Sequence, residues 1–274
     1  MKNNLLFLII FLLILISISY GLSKSNTSPT IKEEPNFETK IKKLSFYKQE
    51  NNSRYLTYSK ENTKLSPKQV VTHVNIGLDK PFYTNVKKAP HQNKTTILVN
   101  KYFSLDESYV PKNLEPLDEA YSRKGMYLVK EAKKAFEALS LDASLENLTI
   151  KAMSTYRSFS YQNNLYIAYV KKDGEDLANT YSAKPGHSEH QTGLALDVYN
   201  ETTSYTDFEN TQEYTWMQKN AYKYGFILRY PKEKEKITGY SYESWHYRYV
   251  GFEIAEYIQK HNLTYDEYYM QFLD

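Results

Sequence analysis

The sequence predicts an α+β fold in which helices flank an antiparallel β-sheet. Residues 126–139 place Met126, Val129, Ala132, Phe136 and Leu139 at three- and four-residue intervals with charges between them, the pattern of an amphipathic helix. Residues 148–155 (LTIKAMST) and 193–199 (GLALDVY) change character in steps of two, as strands do. No regular β-α alternation runs through the chain, so a doubly wound parallel sheet is not expected.

Taken in order, the chain begins with an uncharged run from Asn3 to Ser23, unbroken in apolar residues from Leu5 to Ile16 and bracketed by Lys2 and Lys24. That length approaches the roughly 20 residues needed to cross a bilayer, while Ser17, Ser19 and Gly21 are small residues that a signal peptidase accepts. Residues 1–23 therefore read as an uncleaved membrane anchor or a cleaved signal peptide, and the remainder is expected outside the cytoplasm. Residues 24–42 are polar, proline-containing linker sequence. Residues 43–94 form an N-terminal subregion to which the pattern assigns no definite structure, and residues 95–274 read as the functional domain.

Within that domain, YVPKNLEPLD (109–118) is an extended approach to the helix at 126–139. The strand at 148–155 turns Leu148, Ile150 and Ala152 to one side. A helix is expected after Ser160, and another from Thr211 to Tyr224, stopped by Gly225. Between them, GLALDVY turns Leu194, Leu196 and Val198 to the core and aims Asp197 away from it. Phe226, Ile227 and Leu228 suggest a short strand, and Phe252 to Gln259 a last helix.

Composition narrows the chemistry. With 35 Lys+Arg against 32 Asp+Glu, the net charge of +3 is too small to mark a nucleic-acid binder. The absence of cysteine removes disulfide frameworks, thiolate zinc sites, cysteine nucleophiles and a lipid anchor on cysteine. Any metal must be held by carboxylates and by some of six histidines.

Two segments hold half of those histidines: GHSEHQTGLALD (186–197) and YESWHYR (242–248). His190 stands in a polar turn between Gly186 and Gly193, and Asp197 follows on the strand. The two converge if the loop folds back, a bend that Gly193 permits. Glu243 and His246, three apart, share one side of a helical turn or a bulged strand end, with Trp245 as an apolar anchor. His190, Asp197 and His246 make a two-His, one-carboxylate set, which is an open catalytic zinc site with a position left for water. Glu243 is then the general base. His73, His91, His187 and His261 read as surface or capping residues, and an unpaired Asp197 inside a strand would be costly.

SEHQTGLALD resembles the SxHxxGxAxD motif, and ESWHYR the ExWH motif, of the VanY-type zinc D-alanyl-D-alanine carboxypeptidases, within the wider group that includes lysostaphin-like and hedgehog domains. The resemblance extends to residues 98–111, 154–166 and 220–258, and so covers about residues 95–272. It implies the hedgehog/D,D-peptidase-like fold, Zn2+ as cofactor, and the roles already given to His190, Asp197, His246 and Glu243. It adds Arg157 as the cation that stabilises the oxyanion, and Ser188 and Gln162 as contacts to the substrate's terminal residue. Ser244 departs from the family's proline between Glu and Trp, which would stiffen the turn aiming Glu243.

The expected protein is thus an exported or membrane-anchored monomeric zinc carboxypeptidase that removes the C-terminal D-alanine from peptidoglycan stem peptides. The alternatives are an L,D-carboxypeptidase acting on tetrapeptide stems, a cell-wall endopeptidase, and a wall-binding module without turnover. Glu243 and Arg157 argue against the last, because binding alone needs neither a base nor an oxyanion partner.

Overall fold

The computed structural model describes residues 36–274, so the targeting segment expected at residues 1–23 lies outside the described residues. The linker expected at 24–42 ends in a short helix, Phe37–Lys42. Residues 43–94 hold two helices, α1 (Asn52–Glu61) and α2 (Pro67–Ile76). Proline at the first helical position, a Ser66/Gln69 capping box and a left-handed Gly77 after the last turn delimit α2. These helices belong to one compact unit, Lys40–Asp274, with the segment that carries the motifs. Ile76 is buried beside Leu98, Tyr102, Tyr265 and Tyr269, and Gln271 Nε2 donates to Thr72 Oγ1 at 3.1 Å.

The chain then forms a hairpin, β1 (Leu114–Pro116) against β2 (Tyr127–Val129), before α3 (Lys130–Leu145). The helical spacing that begins at Met126 is thus interrupted. Residues 127–129 are extended because their backbone groups pair with β1, and the helix starts only at Lys130. Ala132, Phe136 and Leu139 remain its buried face.

There follow β3 (Lys151–Ser154), α4 (Phe159–Asp173), α5 (Glu175–Tyr181), β4 (Ala195–Tyr199), α6 (Gln212–Asn220), β5 (Phe226–Leu228), β6 (His246–Tyr249), α7 (Phe252–His261) and α8 (Tyr265–Phe272). Ser158 caps α4 by accepting from Tyr161 N, and Gly225 ends the turn after α6 in the left-handed region. Helices α5 and α8 carry no periodic run long enough to announce them in the sequence.

The main sheet has the order β3-β4-β6-β5, antiparallel at every pairing, as an α+β fold requires. On one side, Leu194, Leu196, Val198 and Phe226 meet Phe136, Leu139 and Trp216 in the larger core. Ile227 points the other way, into a second core with Val250, Ile258, Tyr265 and Met270. Burial on both sides holds the central strands rigid, and the candidate site is built on them.

Candidate active site

Strand register brings the first two chemical groups together. Asp197 on β4 is paired directly with His246 on β6, so their side chains leave the same face of the sheet. Asp197 Oδ1 lies 3.1 Å from His246 Nδ1. His190 arrives from the 3-10 turn Glu189–Thr192 just before β4. That turn reverses at Gly193, which adopts φ +67°, and an added Cβ would come within 2.8 Å of Leu114 Cδ2. Backbone contact fixes the fold-back: Arg157 N donates to the His190 carbonyl at 3.2 Å.

The imidazole of His190 has a defined tautomer. Its Nδ1 is 2.7 Å from the Thr155 carbonyl, which can only accept, so the proton sits on Nδ1 and Nε2 is a bare lone pair. That Nε2 is buried without a hydrogen-bond partner and lies 3.4 Å from Asp197 Oδ2. One donor atom each from His190, Asp197 and His246 falls within 4.8 Å of the others. Three converging donors, one of them a buried lone pair with nothing to accept, fit a tetrahedral divalent cation with one position open.

Glu243 stands on the loop leading into β6, where its backbone N–H donates to the Tyr230 carbonyl at 3.1 Å. This bond fixes the turn that the family's proline would otherwise stiffen. Glu243 Oε2 is 3.6 Å from His246 Nδ1, beside the donor set. Burial pushes the Glu243 carboxyl up to about 7, Asp197 adding to the effect while His246 and Arg157 oppose it. The histidines divide. Burial and the Arg157 charge bring His190 down to about 4. His246 is held up at about 9, because the neighbouring carboxylates of Asp197 and Glu189 outweigh its burial.

All of this faces a cleft of about 450 Å³. Arg157 enters it with Nη2 3.8 Å from Asp197 Oδ2, and its Nε is buried without a partner. Ser188 lines the same cleft. Gln162 does too, but its Nε2 is engaged with the Ala183 carbonyl at 2.8 Å, which leaves Oε1 without a partner. Tyr161, Tyr169, Tyr181, Tyr205 and Trp245 form much of the remaining wall. Trp245 is a half-buried wall residue, packed edge-on against Tyr205 with ring centroids 5.0 Å apart, so its apolar contact is local to the cleft.

The other histidines lie outside this set. His187 and His73 are buried rather than superficial: His187 Nδ1 meets the Asn100 carbonyl at 2.7 Å, and His73 packs against Tyr58. His91 meets Thr96, and His261 stacks near Tyr257. Sequence reasoning passed over Glu189, Arg229 and Arg248, all fully buried behind the site. The available signal was two arginines, Arg248 inside the strand HYRY and Arg229 directly after the apolar FIL, which demand a buried carboxylate if they are buried.

Compared with known proteins, residues 125–252 match the family model described as VanY: D-alanyl-D-alanine carboxypeptidase. The chain is 38% identical over 224 residues to the putative carboxypeptidase YodJ of Bacillus subtilis (strain 168), covering 77% of this chain and 82% of that protein. The chain belongs to the VanY family. Among solved structures, the LD-carboxypeptidase LdcB superposes with a TM-score of 0.64 at 38% identity, over 69% of this chain and 91% of that one. A mutant of the D,D-pentapeptidase VanY in complex with Zn(II) superposes with a TM-score of 0.55 at 32% identity, over 64% and 98%. The hedgehog/D,D-peptidase-like fold that the motifs implied is therefore the fold of this family member.

Proposed function

We propose that this VanY-family protein is a zinc-dependent carboxypeptidase that removes the C-terminal D-alanine from peptidoglycan stem peptides. The observation that carries this reading is the convergence of His190, Asp197 and His246, with Glu243 and Arg157 beside them, on one open cleft. His190 Nε2, an Asp197 oxygen and His246 Nδ1 would hold the ion. Zinc bound there supplies Lewis acidity toward water and the scissile carbonyl.

The chain's own groups do the rest. Glu243 takes the proton of the attacking water and returns it to the departing amine, which leaves as D-alanine. Arg157, which lines the cleft, would turn its guanidinium toward the oxygen on which negative charge grows. Ser188 and the free Gln162 oxygen face the substrate's terminal residue, the serine as a donor and the amide oxygen as an acceptor. Tyrosines along the wall exclude water from the rest of the peptide.

The similarity to LdcB favours a second reading, an L,D-carboxypeptidase that shortens tetrapeptide stems. Both reactions use the same machinery and differ in the residue read before the scissile bond. Incubating the zinc-loaded protein with pentapeptide and tetrapeptide stems and weighing the products separates them. Loss of one D-alanine from the pentapeptide alone supports the first reading. Shortening of the tetrapeptide alone replaces it with the second, and no shortening of either overturns both.

The uncharged run from Asn3 to Ser23 supports placement outside the cytoplasm, held at the membrane or released. Fractionating cells that express the tagged full chain tests this, and recovery in the cytoplasmic fraction would contradict it.

A further inference from the structure

Behind the metal ligands lies a charged cluster sealed from solvent. The side chains of Glu189, Arg229, Asp266 and Arg248 are each 0–1% exposed. Glu189 Oε1 accepts from Arg229 Nε at 2.8 Å and from Arg248 Nη1 at 3.0 Å. Arg229 Nη1 also donates to Asp266 Oδ2 at 2.6 Å, while Arg248 Nη2 donates to the carbonyls of Thr95 and Ile97. Two cations and two anions thus balance, and each guanidinium is anchored on more than one element.

One oxygen is left over. Glu189 Oε2 is buried with no hydrogen-bond partner, and so is His246 Nε2. They face each other at 3.6 Å, a few tenths of an ångström beyond a hydrogen bond. Both stand in a place where an unmade bond is expensive. The opposite ring nitrogen, Nδ1, faces Asp197 and Glu243.

We propose that Glu189 is a positioning residue for the metal site. Its free carboxylate oxygen accepts the Nε2 proton of His246, so that Nδ1 is the nitrogen left to hold the ion, in place of its bond to Asp197 Oδ1. The two arginines hold that carboxylate in place. This is the carboxylate–histidine–metal arrangement in which an outer carboxylate fixes the tautomer of a ligand, and it rests on the zinc reading above. The chain thereby uses both imidazoles in opposite senses: His190 is fixed through Nδ1 by a backbone carbonyl, and His246 through Nε2 by Glu189.

Glu189→Gln tests the idea with little change of shape. The amide oxygen can keep the arginine bonds, but its NH2 then confronts His246 Nε2 and drives the proton to Nδ1, against the ion. Zinc affinity, measured by competition with a chromophoric chelator, should fall 10- to 100-fold, while the metal-free protein still melts cooperatively. A folded variant with unchanged zinc affinity would overturn the proposal.

A second measurement needs no variant. With 113Cd in place of zinc and 15N-labelled histidine, cadmium should couple to Nδ1 of His246 and Nε2 of His190, with His246 Nε2 carrying a slowly exchanging proton. Coupling to Nε2 of His246 would overturn the proposal even if the variant fails to fold, and leave the zinc reading standing. Failure of the native protein to bind either metal would instead remove the zinc reading, and the proposal with it.

Discussion

Asp197 and His246 are cross-strand partners on β4 and β6, with Oδ1 and Nδ1 3.1 Å apart. Forty-nine residues separate them in sequence, yet the register of one antiparallel pair places them side by side. A one-residue slip would turn one of the two to the opposite face. Because Leu196 and Val198 are locked into the core, that slip is strongly opposed, and the placement of the proposed metal ligands inherits the stability of the sheet.

His190→Ala and His246→Ala should each lose bound zinc and activity together, since a three-ligand site deprived of one donor holds the ion poorly. His187→Ala should keep about one zinc per chain, because its Nδ1 is committed to the Asn100 carbonyl and it stands outside the donor set. Elemental analysis after gel filtration reads this directly. Full zinc content in either of the first two variants would remove that residue from the ligand shell.

Glu243→Gln separates the base from the ligands. The substitution keeps volume and burial, so the variant should fold and bind zinc normally while turnover drops at least ~100-fold. Stopped assays of D-alanine release give the rate, and near-normal turnover would assign water activation to another group.

Arg157 and Ser188 should fail differently. Arg157→Lys keeps the charge but loses the planar fork, and it faces charge that peaks in the transition state, so kcat should fall more than KM rises. Ser188→Ala should act mainly on KM. Amidating the peptide's C-terminus should abolish cleavage, because a carboxypeptidase reads a free carboxylate. Equal rates on the amide and the acid would favour an endopeptidase.

Breaking the buried ion cluster should be costly where breaking a surface pair is not. Asp266→Ala leaves Arg229 Nη1 without its acceptor in a dry interior and should lower stability by about 3–5 kcal/mol. Lys151→Ala, which removes an exposed partner of Glu201, should change it by less than about 1 kcal/mol. Urea denaturation in the presence of a chelator measures both, and equal effects would contradict the burial argument.

Gly193→Ala should destabilise the protein by more than about 1 kcal/mol and weaken zinc binding, because φ +67° disfavours a Cβ that would also strike Leu114. Denaturation and chelator competition on the same preparation check this. A variant with native stability and affinity would show that the turn can relax without moving His190.

The sequence alone determined what local pattern can encode: the strand that aims Asp197 out of the core, the polar turn that carries His190, the glycine that bends it, and the absence of cysteine that confined any metal to histidine and carboxylate. Motif spacing singled out His190, Asp197, His246 and Glu243 as candidates among six histidines and 32 acids, and the structure brings all four onto one cleft. The tertiary structure decided what depends on distant partners. Residues 127–129 became a strand because β1 was there to pair with them, against a helical spacing that counted only near neighbours. The helix Pro67–Ile76 was fixed by docking against the last helix, too far away in sequence for any window to register, and the helix Asn52–Glu61 packs on it in turn. Of the cluster of Glu189, Arg229, Arg248 and Asp266, the local sequence shows only two arginines in or beside short strands and nothing of which carboxylates meet them. Charges bury only when opposite charges arrive with them, and those come from four separate stretches of chain that the fold alone assembles.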